Sequence, residues 1–361
     1  MDKIIKNVLK KIEDAGFEAY LVGGFVRDYL LGIKSLDVDI CTNALPKDLH
    51  QMFPSNSNSN TYGGFNLKIK NYNIDITTYR KELKYDKRKP TEIVYIDKLE
   101  DDIVRRDFTI NSVCMNKEEK IIDLVNGIED INNHQIRMLG NVKERFIEDP
   151  LRILRAIRFA TILNFELDEE IIKEIKENYE LVNTLSTTRI KQELNKILLH
   201  KNYLKGLTFL KEFNILTLLG ISFNEITYVN DICGMWAQLE TSKNYAFTKQ
   251  EITNIINIRQ IISDGNINNK KLYDYGLYVN LVAAEILNIN KKHVNKLYND
   301  LPIKSLDDLQ ITNNEIMELL NIKPSKILRD IKAEIVELIL ENKLKNRNSE
   351  LKKYIINRKE M

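Results

Sequence analysis

Asp37 and Asp39 stand two apart in the apolar run Leu36-Asp37-Val38-Asp39-Ile40. The two-residue period of a strand puts both carboxylates on one face. Acidic groups held that close repel each other unless a cation neutralises them. Mg²⁺ suits such a pair, because it binds few carboxylates and completes its shell with water and substrate phosphate oxygens. Just upstream, Ala19-Tyr20-Leu21-Val22 is a short apolar run closed by Gly23-Gly24, and helical spacing resumes from Phe25 with Arg27 in the first turn. A glycine turn lets backbone approach a bound group, and a helix start offers unpaired N–H groups to phosphate. Paired glycines are usually plain turns, and Asp-x-Asp is common in loops. Their combination is what points to a phosphate cradle facing a two-carboxylate metal site.

The elements around this stretch must hold it in place. Ile4, Ile5, Val8, Leu9 and Ile12 predict an amphipathic helix over residues 1–15. Phe65, Leu67 and Ile69 alternate with polar residues, and Ile74 to Thr78 alternates again around Asp75. Asp75 is then either a third carboxylate beside Asp37 and Asp39 or a solvated strand residue. Residues 55–60 (SNSNSN) read as a surface loop, and residues 80–90 (RKELKYDKRKP) as a charged loop, solvated or moving near the site. A strand signal returns at Ile93 to Ile96. Arg105, Arg106 and Asp107 stand directly before an apolar segment. Asp107 and Asn111 can cap locally, and adjacent arginines can bind triphosphate or ribose.

From about residue 137 the pattern turns helical. Pro150 fits the first turn of a helix whose apolar stripe is Ile153, Leu154, Ile157 and Ala160. Arg152, Arg155 and Arg158 recur every three residues on another side, with Arg145 one heptad before Arg152. They read as an anion-binding flank, or as a solvated face. Ser186 is placed as an N-cap, and Arg189 with Glu193 as an i,i+4 pair.

Composition limits the alternatives. The chain has 361 residues, enough for more than one compact unit, and a formal charge of +2, so any nucleic-acid surface must be a local patch. One such patch is residues 341–361, with Lys343, Lys345, Arg347, Lys352, Lys353, Arg358 and Lys359. Cys41, Cys114 and Cys233 are scattered, and the histidines form no paired-ligand pattern, which argues against zinc and suits a reducing cytosol. The charged first residues do not read as a secretory signal, and no apolar run reaches membrane-spanning length.

Taken in order, LVGGFVRDYLLG with DVDICT, then RRDFTIN, EDPLRILRAIRFA and the segment from Ser186 to Leu198 resemble the motif series of bacterial tRNA nucleotidyltransferases. These are the CCA-adding enzymes, of the class shared with bacterial poly(A) polymerases. The resemblance covers nearly the whole chain. It implies an α+β fold: a nucleotidyltransferase head with a small mixed β-sheet and flanking helices (1–136), then an all-α neck (137–200), body (201–300) and tRNA-binding tail (301–361). It implies template-independent addition of CCA to the tRNA 3′ end from CTP and ATP, with pyrophosphate released, in the cytoplasm and away from membranes.

Carried over by residue, the resemblance makes Asp37 and Asp39 the holders of two Mg²⁺ ions. It places the backbone of Gly24 and the side chain of Arg27 at the triphosphate, and Arg106 and Asp107 at triphosphate and ribose. Asp149 and Arg152 would read the Watson–Crick edge of the incoming base, with Arg155 and Arg158 supporting that site and the phosphates. Thr188 departs from the pattern, standing where the family usually has a glutamate that bears on the bracing of the reading helix. Addition of only CC is disfavoured by a full-length loop at residues 80–98 retaining Glu82, Tyr85, Asp86 and Arg88. Poly(A) polymerase is disfavoured because Tyr62-Gly63-Gly64-Phe65 stands in place of a basic signature, and a non-catalytic RNA-binding module because Asp37 and Asp39 are intact. No His-Asp phosphohydrolase domain is expected.

Overall fold

The computed structural model describes residues 1–53, 58–59, 64–86, 89–324 and 326–359, of which 58–59, 82–86, 89–92 and 359 are described by backbone only. Most of the serine–asparagine run, Tyr62, Gly63, Arg88 and the side chains of Glu82, Tyr85 and Asp86 therefore lie outside the described residues. The chain divides into two compact units, Met1–Ile221 with Ser242–Tyr245, and Ser222–Thr241 with Ala246–Met361.

The first unit opens with α1 (Lys3–Asp14), capped by the Asp2 carboxylate, which accepts from the Ile4 N–H at 2.7 Å. Ile5, Val8, Leu9 and Ile12 form its buried face, as the spacing predicts. A mixed sheet follows, built from β1 (Ala19–Val22), β2 (Asp37–Thr42), β3 (Asn58–Ser59), β4 (Gly64–Ile69) and β5 (Tyr72–Thr78). Between its strands run α2 (Gly24–Leu30) and α3 (Pro46–Met52). After β6 (Arg80–Asp86), β7 (Lys89–Tyr95) and α4 (Leu99–Ile103), the short strands β8 (Cys114–Met115) and β9 (Ile121–Ile122) complete it. The spatial order is β3-β4-β5-β2-β1-β8-β9. Among the described residues of this sheet, β2 and β5 are the pair that runs in parallel; their register sets Asp39 directly beside Asp75.

One expectation is corrected. Residues 80–86 and 89–90 are strand rather than loop, because β6 and β7 pair antiparallel in a register that runs from Arg80 beside Tyr95 to Asp86 beside Lys89. A hairpin is held by backbone hydrogen bonds, so it does not need the apolar alternation by which strands are recognised. Register shifts between Glu82 and Tyr85 disturb the period further.

Beyond the sheet come α5 (Gly127–Asn132), α6 (Val142–Glu148) and α7 (Leu151–Leu163), then α8 (Glu169–Asn178), α9 (Thr187–Leu198), α10 (Tyr203–Glu212) and α11 (Ile215–Leu219). Pro150 is the N-cap of α7, and Ile153, Leu154, Ile157 and Ala160 are fully buried along it. Ser186 caps α9, accepting from the Arg189 N–H. The second unit is a set of helices, α12 (Ile232–Ala237), α13 (Lys249–Asp264), α14 (Asn269–Ile286), α15 (Lys291–Asn299), α16 (Asn313–Leu320), α17 (Lys326–Leu340) and α18 (Asn348–Lys359). Its core packs Leu272, Val294, Ile316, Ile335, Ile339 and Leu351. Among the described residues no helix is long and apolar enough to cross a membrane.

Candidate active site

The turn between β1 and α2 is shaped by Gly23, at φ +77°. Glycine takes this conformation freely, whereas a side chain there is strained. Space is limiting as well: a Cβ at Gly23 would lie 2.7 Å from Asp39 Oδ2. At Gly24 the nearest atom would be Arg27 Nη2 at 3.5 Å, an ordinary contact. Gly23 is therefore the glycine that the turn requires.

β2 presents Asp37 and Asp39 to a cavity of ≈ 440 Å³, with Gly23, Gly24 and Ser35 at its edge. Asn73 Nδ2 donates to Asp37 Oδ1 at 3.0 Å. Burial raises the Asp39 carboxyl above the ordinary carboxylate range; Arg106 opposes the shift, and Asp75 and Asp37 add to it. Asp75 accepts a hydrogen bond from Asn66 Nδ2 and is absent from the cavity wall, although it lies next to Asp39 across the strands. Among the described residues no group of three or more His, Cys, Asp or Glu side chains is placed to hold a metal ion.

The same cavity is rich in cations. Arg27, Arg106, Arg155, Arg158 and Lys196 line it, with Asp28, Asp107, Asn111 and Phe159 among them. A polar network fixes these guanidinium groups. Arg27 donates to Asp28 Oδ1 through Nε at 2.9 Å and Nη2 at 2.6 Å, and through Nη1 to Asn111 Oδ1 at 2.7 Å. Asn111 donates to Asp107 Oδ1 at 3.4 Å, and Arg155 Nε donates to Asp107 Oδ2 at 2.8 Å. Burial by itself raises the Asp107 carboxyl, but the Arg155 guanidinium and the Phe108 N–H outweigh it and hold the group below the ordinary range. Arg106 is tied by Nη2 to Asp102 Oδ2 at 3.0 Å; that fully buried carboxylate also binds Arg105 Nε at 2.8 Å and the Arg80 N–H at 3.2 Å.

The arginines of α6 and α7 do not form one flank. Arg155 and Arg158 face the cavity. Arg145 staples loops by donating to the Leu139 and Val104 carbonyls, and binds Glu148 at 2.9 Å. Arg152 is buried, donating to Glu148 Oε2 and the Arg145 carbonyl, each at 2.9 Å. Burial raises the Glu148 carboxyl, yet Arg152 and Arg145 hold it below the ordinary range. Asp149 accepts from the Leu151 N–H at 3.0 Å. Neither Asp149 nor Arg152 is on the cavity wall, so the structure brings together Asp37, Asp39, Gly24, Arg27, Arg106, Asp107, Arg155 and Arg158 and sets this pair aside from them.

The Arg189–Glu193 pair is corrected. Glu193 is buried and binds Arg158 at 2.6 Å and Lys196 at 3.4 Å, while Arg189 is exposed. A buried carboxylate takes the cation that is buried with it. This ion pair joins α9 to α7, whereas Thr188 is exposed. Glu193, Lys196, Phe159 and Asp102 were not singled out for the site from the sequence. Only Phe159 carried a local sign, as the aromatic next to Arg158 and one turn beyond Arg155.

A mixed sheet carrying paired carboxylates, with a helical extension supplying cations, defines a nucleotidyltransferase of the poly(A) polymerase type. The family model described as "Poly A polymerase head domain" matches residues 19–137. "Probable RNA and SrmB- binding site of polymerase A" matches 164–220, and "tRNA nucleotidyltransferase domain 2 putative" matches 236–355. The chain is 31% identical over 382 residues to the CCA-adding enzyme of Streptococcus uberis, covering 97% of this chain and 95% of that one. Against the CCA-adding enzyme of Ligilactobacillus salivarius the identity is 32%, covering 90% and 88%. The fold matches that of the Bacillus stearothermophilus CCA-adding enzyme in complex with CTP, with a TM-score of 0.88 at 23% identity over 100% of this chain and 98% of that one. The chain belongs to the family of CCA-adding enzymes, which are tRNA nucleotidyltransferases.

Proposed function

We propose that this protein adds C, C and A in turn to the 3′ end of tRNA, taking CTP and ATP and releasing pyrophosphate. The observation that carries this reading is one cavity lined both by the Asp37–Asp39 pair and by Arg27, Arg106, Arg155 and Arg158. Such a cavity suits a triphosphate bridged to a hard cation. Relatives along nearly the full length are CCA-adding enzymes, and one structure of the same fold is that of the Thermotoga maritima enzyme complexed with tRNA, at a TM-score of 0.66.

The donor set fits a divalent cation, and we infer Mg²⁺, bound by Asp37 and Asp39. Both are oxygen donors on one strand face, and Asp39, whose carboxyl is raised first by burial and then by the nearby Asp75 and Asp37 charges, stands where a cation would offset that cost. The chemistry that a pair of such ions supplies when bound is activation of the primer 3′-hydroxyl and neutralisation of charge at the leaving pyrophosphate. The protein's own part is positioning. Arg27 and Arg106 hold the triphosphate beside the Gly24 backbone, and Arg155 holds Asp107 for the ribose. Val38 and Ile40, on the other face of β2, are buried and anchor the strand that carries the two carboxylates. In-line attack at the α-phosphorus is then favoured by alignment and by fixed charge.

Base choice is assigned to Asp149 and Arg152, a carboxylate acceptor and a guanidinium donor three residues apart at the start of α7. Together they can match the edges of cytosine and adenine, with each good pair giving about 1–3 kcal/mol of discrimination. Residues 1–136 are then the catalytic head, 137–200 the neck carrying the reading helix, 201–300 the body and 301–361 the tail that grips tRNA by shape and charge. The three cysteines are buried and free, which suits a cytoplasmic enzyme.

The test is incubation with Mg²⁺ and a tRNA ending at its discriminator base, supplying labelled CTP and ATP separately and then together. Two C from CTP alone and a final A with both is the expected result. Incorporation of A alone would sink the full CCA reading, and a long A tail would mark a polymerase.

A further inference from the structure

Phe159 is 5% exposed, and its ring forms part of the cavity wall. Around it stand three guanidinium groups from two helices. The Arg158 carbon lies 4.1 Å from the ring centroid, and those of Arg27 and Arg155 lie 5.3 Å away. On its other contacts the ring meets Phe108 edge-on, with centroids 5.5 Å apart and planes at 78°. Each guanidinium also has a carboxylate partner: Asp28 for Arg27 and Asp107 for Arg155, both lining the cavity, and Glu193 for Arg158. The ring is the element common to all three.

Three like charges gathered in a half-dry pocket repel one another. A carboxylate at their centre would relieve the repulsion, but it would also cancel the charge that an anionic ligand needs. An aliphatic side chain would leave the repulsion opposed only by the separate carboxylate partners, with nothing common to the three cations. A phenyl face attracts cations through its quadrupole and carries no net charge.

We propose that Phe159 is a positioning residue that gathers Arg27, Arg155 and Arg158 into one cationic cluster for the polyphosphate of the incoming nucleoside triphosphate. This deepens the reading of the cavity as a triphosphate site and rests on it. The ring orients the cations without adding a charge of its own, and it links Arg27 of α2 to the arginines of α7.

The test replaces Phe159 in the full chain with mono-, di- and trifluorinated phenylalanine, which drain the π face while nearly keeping its shape. Inorganic tripolyphosphate is the probe, measured by calorimetry with Mg²⁺ and by competition against CTP, alongside the KM and kcat for CTP. Affinity for tripolyphosphate should fall stepwise, by roughly tenfold across the series. KM should rise in parallel, kcat should change little, and Tm should stay constant. Phe159→Tyr should retain wild-type affinity. A flat affinity across the series, with the wild type still binding the probe, overturns the role of Phe159 alone. Failure of the wild type to bind tripolyphosphate in competition with CTP overturns the triphosphate reading, and this inference with it.

Discussion

Gly23 and Asp39 are packed so closely that the backbone of one occupies the space a side chain would need beside the carboxylate of the other: a Cβ at Gly23 would stand 2.7 Å from Asp39 Oδ2. With φ at +77°, Gly23 is bound to glycine on conformational grounds as well. The turn is thus built around a carboxylate that also lines the cavity.

Gly23→Ala should displace Asp39 and cost more than about 1 kcal/mol from positive-φ strain alone. Transfer activity should fall at least a hundredfold. Gly24→Ala, where the added methyl meets nothing closer than 3.5 Å, should keep most of the stability. Equal losses of Tm in the two variants would refute this division of roles.

The crowded carboxylates trade stability for function. Asp39→Asn removes a half-buried charge facing Asp37 and Asp75, so in EDTA the variant should melt at or above the wild-type temperature. Asp37→Ala and Asp39→Asn should both lose transfer of every nucleotide. Calorimetric scans with and without Mg²⁺ check the first statement: the cation should raise the wild-type Tm and leave that of the variant unmoved.

Arg152→Ala bears on base choice. If the guanidinium reads the base, C/A selectivity over G and U should erode by about tenfold, the size of one lost bidentate pair. Its bond to Glu148 predicts a stability loss as well. Selectivity kept intact while rate falls would leave Arg152 a purely structural residue.

Asp107 gives the pH dependence a definite sign. Its folded-state carboxyl lies below the ordinary value, so its contribution is present above about pH 4 and is lost as pH falls through the lower folded value. Asp107→Asn leaves Arg155 without its partner and should cost about 3 kcal/mol near neutrality. The gap in denaturant stability between wild type and variant should close as the buffer is taken below about pH 4. A gap that stays constant with pH would show that the carboxylate charge is not the source.

Much of the site was legible from residue spacing. Asp37 and Asp39 share a face because a strand has a period of two, and β2 runs from Asp37 to Thr42. The strand signals around Phe65 to Thr78, the change to helices after residue 137 and the helix starts at Pro150 and Ser186 follow from local periodicity and capping, whereas the head with its small mixed sheet rests on the family resemblance. The hairpin of β6 and β7 did not follow, because a charged hairpin is joined by backbone bonds that leave no apolar pattern.

What the sequence determined by itself is the chemistry of the parts: a carboxylate pair, a glycine turn and a helix rich in arginine. Only the tertiary structure decided which cation meets which anion. Arg155 reaches Asp107, 48 residues away, while Arg158 takes Glu193 from the next helix and Arg152 stays with Glu148. It also decided that Gly23, rather than Gly24, is the glycine that cannot change. Spacing along a chain reports on neighbours within one element. A guanidinium's partner is chosen by burial and by which elements pack together, and neither is written in local period.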